Sequence, residues 1–256
     1  MAFIIIAFKS KITYRSAVLF SVIGSIIDIF IKIALWAYLY RQDKGMTEYM
    51  VMYTVLSSMI GMLYVNNISG KIGDKIINGT IAIDLLRPMR FLMSSYMQCL
   101  GEMLANLLMK GIPVLLVFGI YLWRYSGHIV YAQVPVAIVA MILGHILYMQ
   151  IFMMIGLMAA VFMEIWAFHR IMNDIILFLS GSFIPLSLFP DGLGRLNSYL
   201  PFRFLFSFPL ELLLGKTDLV AVSRNFVTLG AWIVFLGLLI WGMNRRMMAK
   251  LVIQGG

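Results

Sequence analysis

Long apolar blocks separated by short polar breaks make up almost the whole chain. Six blocks fall at roughly 17–40, 48–66, 96–123, 134–163, 171–189 and 226–243. Each is about 20 residues or longer, the length a helix needs to cross the hydrocarbon core of a bilayer. Two stretches break the rhythm. Residues 67–95 are polar and interrupted by Gly70, Gly73 and Gly79, with Ile72, Ile76 and Ile77 at helical spacing and Lys71, Asp74 and Lys75 between them. That pattern predicts a short amphipathic helix lying on a membrane surface, where it serves as an inert loop or as a knob that docks in a partner's groove. Residues 190–224 are too apolar for an exposed loop, and Gly192, Gly194, Pro201 and Pro209 break them too often for a span. They read as one or two short helices dipping into one leaflet, with Arg203 and Glu211 at the headgroups. At the N-terminus, residues 1–16 place Ile4, Ile5, Phe8 and Ile12 on one helical face, with Lys9 and Lys11 beside them, which predicts an interfacial helix. The fold class expected is an all-α integral membrane protein with six transmembrane helices, a single membrane domain over 1–256.

Composition supports this. Hydrophobic residues make up 62% and charged residues only 12% of the 256 residues, against about 25% charged in soluble domains. So few charges cannot cover a water-facing surface. The net charge of +9 comes from side chains scattered between apolar blocks, which argues against nucleic acid as a partner and leaves topology as its meaning. With the N-terminus in the cytoplasm, the inner segments carry Lys9, Lys11, Arg15, Lys71, Lys75, Arg87, Arg90, Arg170, Arg245, Arg246 and Lys250. The outer ones carry the fewer Arg41, Lys44, Arg124, Arg195, Arg203, Lys216 and Arg224. The positive-inside rule then puts both ends in the cytoplasm. The apolar run 3–8 is too short for a cleavable leader, and its flanking charges follow it. The single Cys99 excludes an intramolecular disulfide, and the widely spaced His128, His145 and His169 give no expectation of a metal site.

Polar residues inside the spans are the candidate chemistry. Asp28 and Lys32 form an i,i+4 pair in the acid-first order near mid-depth of the first span. Ser94, Gln98, Glu102, Asn106 and Lys110 recur at every fourth position of the third, and drift slowly around one flank. Lipid cannot satisfy such groups, so they should face helices, another subunit or water. Asp28, Lys32, Glu102, Asn106 and Lys110 therefore either lock helices together or line a passage for a polar part of a cargo. A proton relay through Asp28, Glu102, His145 and Glu164 is the corresponding alternative, that of a proton- or ion-coupled secondary transporter. In the fifth span Pro185 should kink the helix and free backbone carbonyls. Two motifs mislead. Gly215-Lys216-Thr217 imitates the end of a phosphate loop, but position 210 is leucine where that loop needs glycine. Gly181-Ser182 has no GxSxG context and no base. No catalytic residue is expected.

The order of these features resembles the type-2 permeases of ATP-binding-cassette exporters. The resemblance rests on the interfacial helix, six spans, and the cytoplasmic helix followed by Gly79-Thr80-Ile81 and Leu85-Leu86-Arg87-Pro88. It rests also on Ser180-Gly181-Ser182-Phe183-Ile184-Pro185 with Phe189-Pro190, then Leu200-Pro201-Phe202. It implies a multi-pass permease of the bacterial inner membrane whose ATP and magnesium are bound by separate nucleotide-binding ATPase subunits, two copies, with no cofactor on this chain. It implies that the region 67–95 carries a coupling helix seated on the ATPase through Lys71, Ile72, Asp74, Lys75 and Ile76. The region 190–224, with Pro185, Pro190 and Pro201 as its landmarks, would be an extracellular re-entrant hairpin. Two permease chains, identical or paralogous, would enclose a passage lined by spans one, two and five.

Overall fold

The computed structural model describes residues 15–64, 67–85, 91–162 and 164–254, and among these the chain is all-helical. The expected interfacial helix over 1–16 and most of the Leu85–Pro88 motif lie outside the described residues. The main elements are α1 (Arg15–Leu39), α2 (Lys44–Gly61), α3 (Ile68–Ile77), α4 (Ile81–Leu85), α5 (Phe91–Asn106), α6 (Ile112–Arg124), α7 (Val134–Leu157), α8 (Trp166–Leu179), α9 (Asp191–Tyr199), α10 (Ser207–Leu213) and α11 (Leu219–Gln254).

Local chemistry sets the boundaries. The Asp43 carboxylate accepts from the Met46 backbone N–H at 2.9 Å and caps α2. Gly79, at φ +69°, takes the left-handed conformation just past α3 and stops it. Pro113 stands in the first turn of α6. It has no N–H for the carbonyl four residues back, and the helix passes this point through a π-helical turn, Leu107–Gly111, that joins α5 to α6.

The helix α7 is apolar on every side and sits at the centre, as such a helix must. Its Ala137, Ala140, Gly144, Leu147, Ile151 and Ile155 are buried. Against it pack α3, α10 and α11, and Met52, Tyr53 and Ile60 of α2 join the same cluster, with Phe152, Phe204, Phe208 and Leu210 fully enclosed. A second cluster joins α1, α2 and α6 through Ile29, Ile33, Val55, Val114 and Phe118, so α2 belongs to both. The outward faces of α1, α6 and α11 expose Phe20, Ile31, Leu116, Trp123, Val227 and Trp241. Such surfaces suit lipid, not water.

Among the described residues, five helical runs are long and apolar enough to cross a membrane: Ser16–Leu39, Lys44–Ile77, Phe91–Arg124, Tyr131–Ala160 and Val220–Ala249. The expected span at 171–189 is not among them. In its place α8 covers Trp166–Leu179, 14 residues, or about 21 Å at 1.5 Å per residue, short of the ~30 Å hydrocarbon core. It ends because Gly181 turns the chain at φ +81°, and not at a kink at Pro185. That proline lies beyond the helix in extended conformation, φ −52° and ψ 136°.

Candidate functional site

The helix α1 is apolar around most of its surface, but Ser21, Ser25, Asp28 and Lys32 fall on one stripe at helical spacing. That stripe borders a cavity of about 470 Å³ between α1, α2, the π-helical turn and the end of α8. Ser57, Ser58, Lys110, Ser182 and Phe206 complete much of its wall. Asp28 and Lys32 form the expected ion pair at 2.7 Å, with the Asp28 carboxylate more than half exposed to the cavity side. The Lys32 ammonium also stands 5.7 Å from the centre of the Phe183 ring. The π-helical turn carries Lys110 to the same cavity. The residues Asp28, Lys32 and Lys110 are thus brought together from two helices, in a wall otherwise made of serine hydroxyls and apolar groups.

The turn after α8 forms part of that wall. Tyr53 Oη donates to the Gly181 carbonyl, and Ser57 Oγ donates to the Ser182 carbonyl at 2.5 Å. The Ser207 N–H donates to the Ser180 carbonyl at 3.0 Å. Pro185 stands outside the helix, so it does not free helical carbonyls as expected. The Gly181 and Ser182 carbonyls lack helical donors because the chain has already turned at Gly181, and Tyr53 and Ser57 of α2 supply donors to them. Neither Tyr53 nor Ser57 stood out in the sequence. Their one-turn spacing was the available signal.

Glu102 and Asn106 belong elsewhere. Glu102 binds Lys71 of α3 at 2.8 Å, with both side chains about four-fifths buried, and Asn106 is buried on α5. Lys75 binds Asp84 at 2.7 Å and lies 3.5 Å from Ser95 Oγ. Ile72 is fully buried against α7, so close that a Cβ on Gly156 would stand 2.8 Å from Ile72 Cβ and 3.0 Å from the Ser69 carbonyl. Ser69 Oγ and His169 Nδ1 share a hydrogen bond of 2.5 Å. Lys71, Ile72 and Lys75 thus face the chain's own body, and Ile76 is half-buried. Asp74, Ile77, Asn78 and Thr80 face outward.

The opposite end of the bundle holds a wider cavity of about 920 Å³, lined by residues from the α1–α2 turn, the 125–133 connection and the 185–216 stretch. Arg203 pairs with Glu211 at 3.1 Å, and Ser207 donates to the same carboxylate at 2.6 Å. His128 Nε2 lies 3.6 Å from Glu48. Pro185 lines this cavity, Pro190 precedes α9, and Pro201 is buried at the start of a 3-10 turn before α10. The four groups of the alternative relay do not converge. Asp28 holds Lys32, Glu102 holds Lys71, His145 Nδ1 donates to the Leu63 carbonyl at 3.0 Å, and Glu164 accepts from Trp166 Nε1 at 3.1 Å.

Residues 26–255 match the family described as ABC-2 family transporter protein. Among curated proteins, none matches the chain.

Proposed function

The chain belongs to the ABC-2 transporter family and is a multi-pass membrane permease of that family; on that premise we propose that it is the permease subunit of an ATP-driven exporter. ATP and magnesium are handled by separate nucleotide-binding subunits, two per transporter, that this chain contacts. A second permease chain, a copy or a paralogue, completes the passage. The protein sits in a bacterial inner membrane with both ends in the cytoplasm, the sixth passage being made by α8 together with the turn after it, which run from His169 beside α3 to Pro185 at the wider cavity. Its domain spans 1–256 with the coupling region at 67–95 and the re-entrant region at 190–224. The 470 Å³ cavity is one wall of the passage, and its mixture of hydroxyl, charged and apolar groups suits an amphiphilic cargo.

The observation that carries the proposal, beside the family, is how α3 is mounted. Its inner face is tied to α5 by the Lys71–Glu102 pair, to Asp84 by Lys75, and to α7 by the Ile72–Gly156 contact. Its outer face, at Asp74, Ile77, Asn78 and Thr80, is exposed among the described residues. A short helix held this firmly transmits a push from a partner into the long helices instead of absorbing it. Asp74 and Ile77, with the turn at Asn78–Thr80, form the face that meets the ATPase, while Lys71, Ile72, Lys75 and Ile76 brace it from behind.

Tagged protein drawn from mild detergent should bring an ATP-hydrolysing subunit with it, and Asp74→Lys with Ile77→Glu should lose that subunit while the chain stays folded. A lone, well-folded wild-type chain whose transport collapses with the proton gradient would instead establish the secondary transporter.

A further inference from the structure

His145 uses only one of its two ring nitrogens. The residue stands near the middle of the 24-residue α7 and is 6% exposed. Its Nδ1 meets the Leu63 carbonyl at 3.0 Å. A carbonyl only accepts, so Nδ1 carries the proton. A ring buried at this depth, with no carboxylate among the described residues that line the cavity beside it, is neutral, and Nε2 is left as an acceptor. Nε2 is buried and has no hydrogen-bond partner among the described residues. In hydrocarbon no water replaces the missing donor.

A cavity lies beside this group. It has a volume of about 300 Å³ and an apolar wall, and it sits between α5 and α7, apart from the two polar cavities. Leu100 and Met103 come from α5, and Met141 and Ile142 from α7. The Tyr96 ring stands 6.3 Å from the imidazole, centre to centre. Ile138 and Ile142 on its border are 48% and 57% exposed, so the cavity opens to the side of the bundle, where lipid lies. Nε2 itself is covered, and a ligand reaches it only when the wall yields. Met103 and Met141 are the wall members suited to yield, because methionine is unbranched and re-packs readily.

We infer that this cavity binds a neutral, single-chain lipophilic alcohol dissolved in the bilayer, whose hydroxyl donates to His145 Nε2 and whose chain lies between α5 and α7. Each part of the site selects for that chemistry. An unmatched acceptor calls for a donor, and a plain hydrocarbon has none. A carboxylate or phosphate brings a charge that the apolar wall cannot meet, and an ionised one brings no proton. The volume is at the lower end of small-ligand sites, which suits one chain rather than two. His145 lies about 17 Å along α7 from Val134, at 1.5 Å per residue, which puts it out of reach of lipid headgroups. The site stands apart from the passage and from any ATPase.

The test uses the full chain in nanodiscs of phosphatidylcholine, with photoreactive dodecanol and its methyl ether as probes, each carrying a diazirine near the oxygen. Labelling of peptides containing residues 96–103 or 138–146 should favour the alcohol about fivefold, the discrimination expected of one buried hydrogen bond. This wild-type comparison needs no variant to fold. Ile142→Trp, a change at the exposed border, should fill the cavity and abolish the labelling, and Leu116→Trp on the exposed face of α6 should leave it unchanged. His145→Phe keeps a ring but removes the acceptor, and should bring the alcohol down to the level of the ether. Equal labelling by alcohol and ether in the wild type overturns the hydrogen bond and with it the assignment. Labelling that survives Ile142→Trp would place the probe elsewhere and overturns the site. A dodecanoate probe that outperforms the alcohol would mean a charged, donating ring and overturns the neutral alcohol. A photoreactive residue at position 142 that captures a second protein chain in place of lipid would make this a helix–helix contact and also overturns it. Transport and co-purification of the ATPase enter none of these readouts, so the exporter reading stands or falls separately.

Discussion

Tyr53 and Ser57 stand one turn apart on α2 and hold two successive carbonyls of a chain segment more than a hundred residues away. The Tyr53 bond is buried, whereas the Ser57 bond borders the cavity beside α1. Tyr53→Phe should cost about 1–3 kcal/mol by leaving the Gly181 carbonyl unsatisfied, measured as a lower midpoint of thermal unfolding in detergent. Gly181→Ala should cost at least as much. It forces a side chain onto φ +81° and puts Cβ 3.1 Å from both Ser207 Cβ and Tyr53 Oη. The lysines of α3 behave in the same way. Lys71→Glu should destabilise by roughly 1–2 kcal/mol for a largely buried pair, and Glu102→Lys in the same chain should recover most of it. A recovery that fails would show that the Lys71–Glu102 pair does not form. The sequence displays Ser180–Ser182 as a motif, but neither that the chain leaves the helix at Gly181 nor which groups meet the carbonyls so exposed, because the partner of such a carbonyl is a tertiary fact.

Whole elements were legible where the signal was a continuous apolar run, and less so where backbone geometry decided. The runs that became α1, α7 and α11 needed only length and hydropathy. The run at 171–189 is just as apolar, yet α8 stops at Leu179, because one glycine conformation ends a helix that hydropathy would continue. Likewise the polar ribbon on α5 follows α-helical spacing to Asn106, but the next member, Lys110, is set by the π-helical turn. Pro113 was its signal, since the residue removes a donor in mid-run. The amphipathic helix at 68–77 was readable from its isoleucines. Which of its faces pointed inward was not, because that depends on Gly156 of α7, which lets the two backbones approach. Gly156→Ala should push α3 off its seat: the added Cβ meets Ile72 Cβ at 2.8 Å, against parts of the chain that have little room to yield. A cost of about 1–3 kcal/mol is expected for such overpacking. Recovery of the ATPase subunit should fall with it, although residue 156 is buried inside the chain. Unchanged stability together with unchanged recovery would count against α3 as a rigidly mounted lever.

At the scale of the molecule, segments that the charge pattern sends to one side also meet in space. The α1–α2 turn, the 125–133 connection and the stretch through Lys216 enclose one cavity. At the other end α3 meets Ala159, Ile165 and His169. The two groupings arise from different physics, since one counts lysines and arginines along the sequence and the other follows from packing. Which end faces the cytoplasm is then a single binary question, and the chain is suited to answering it. Its one native thiol, Cys99, is buried, so an introduced cysteine at an exposed position reports almost alone. Asn78 at the tip of α3 and Ser198 on α9 are both exposed. With a membrane-impermeant maleimide, Ser198→Cys should be labelled in intact cells and Asn78→Cys only after the membrane is opened. The reverse pattern would put α3 outside, out of reach of any ATPase, and would end the exporter reading. Labelling of both from one side would mean that the long helices do not separate these two ends across the membrane.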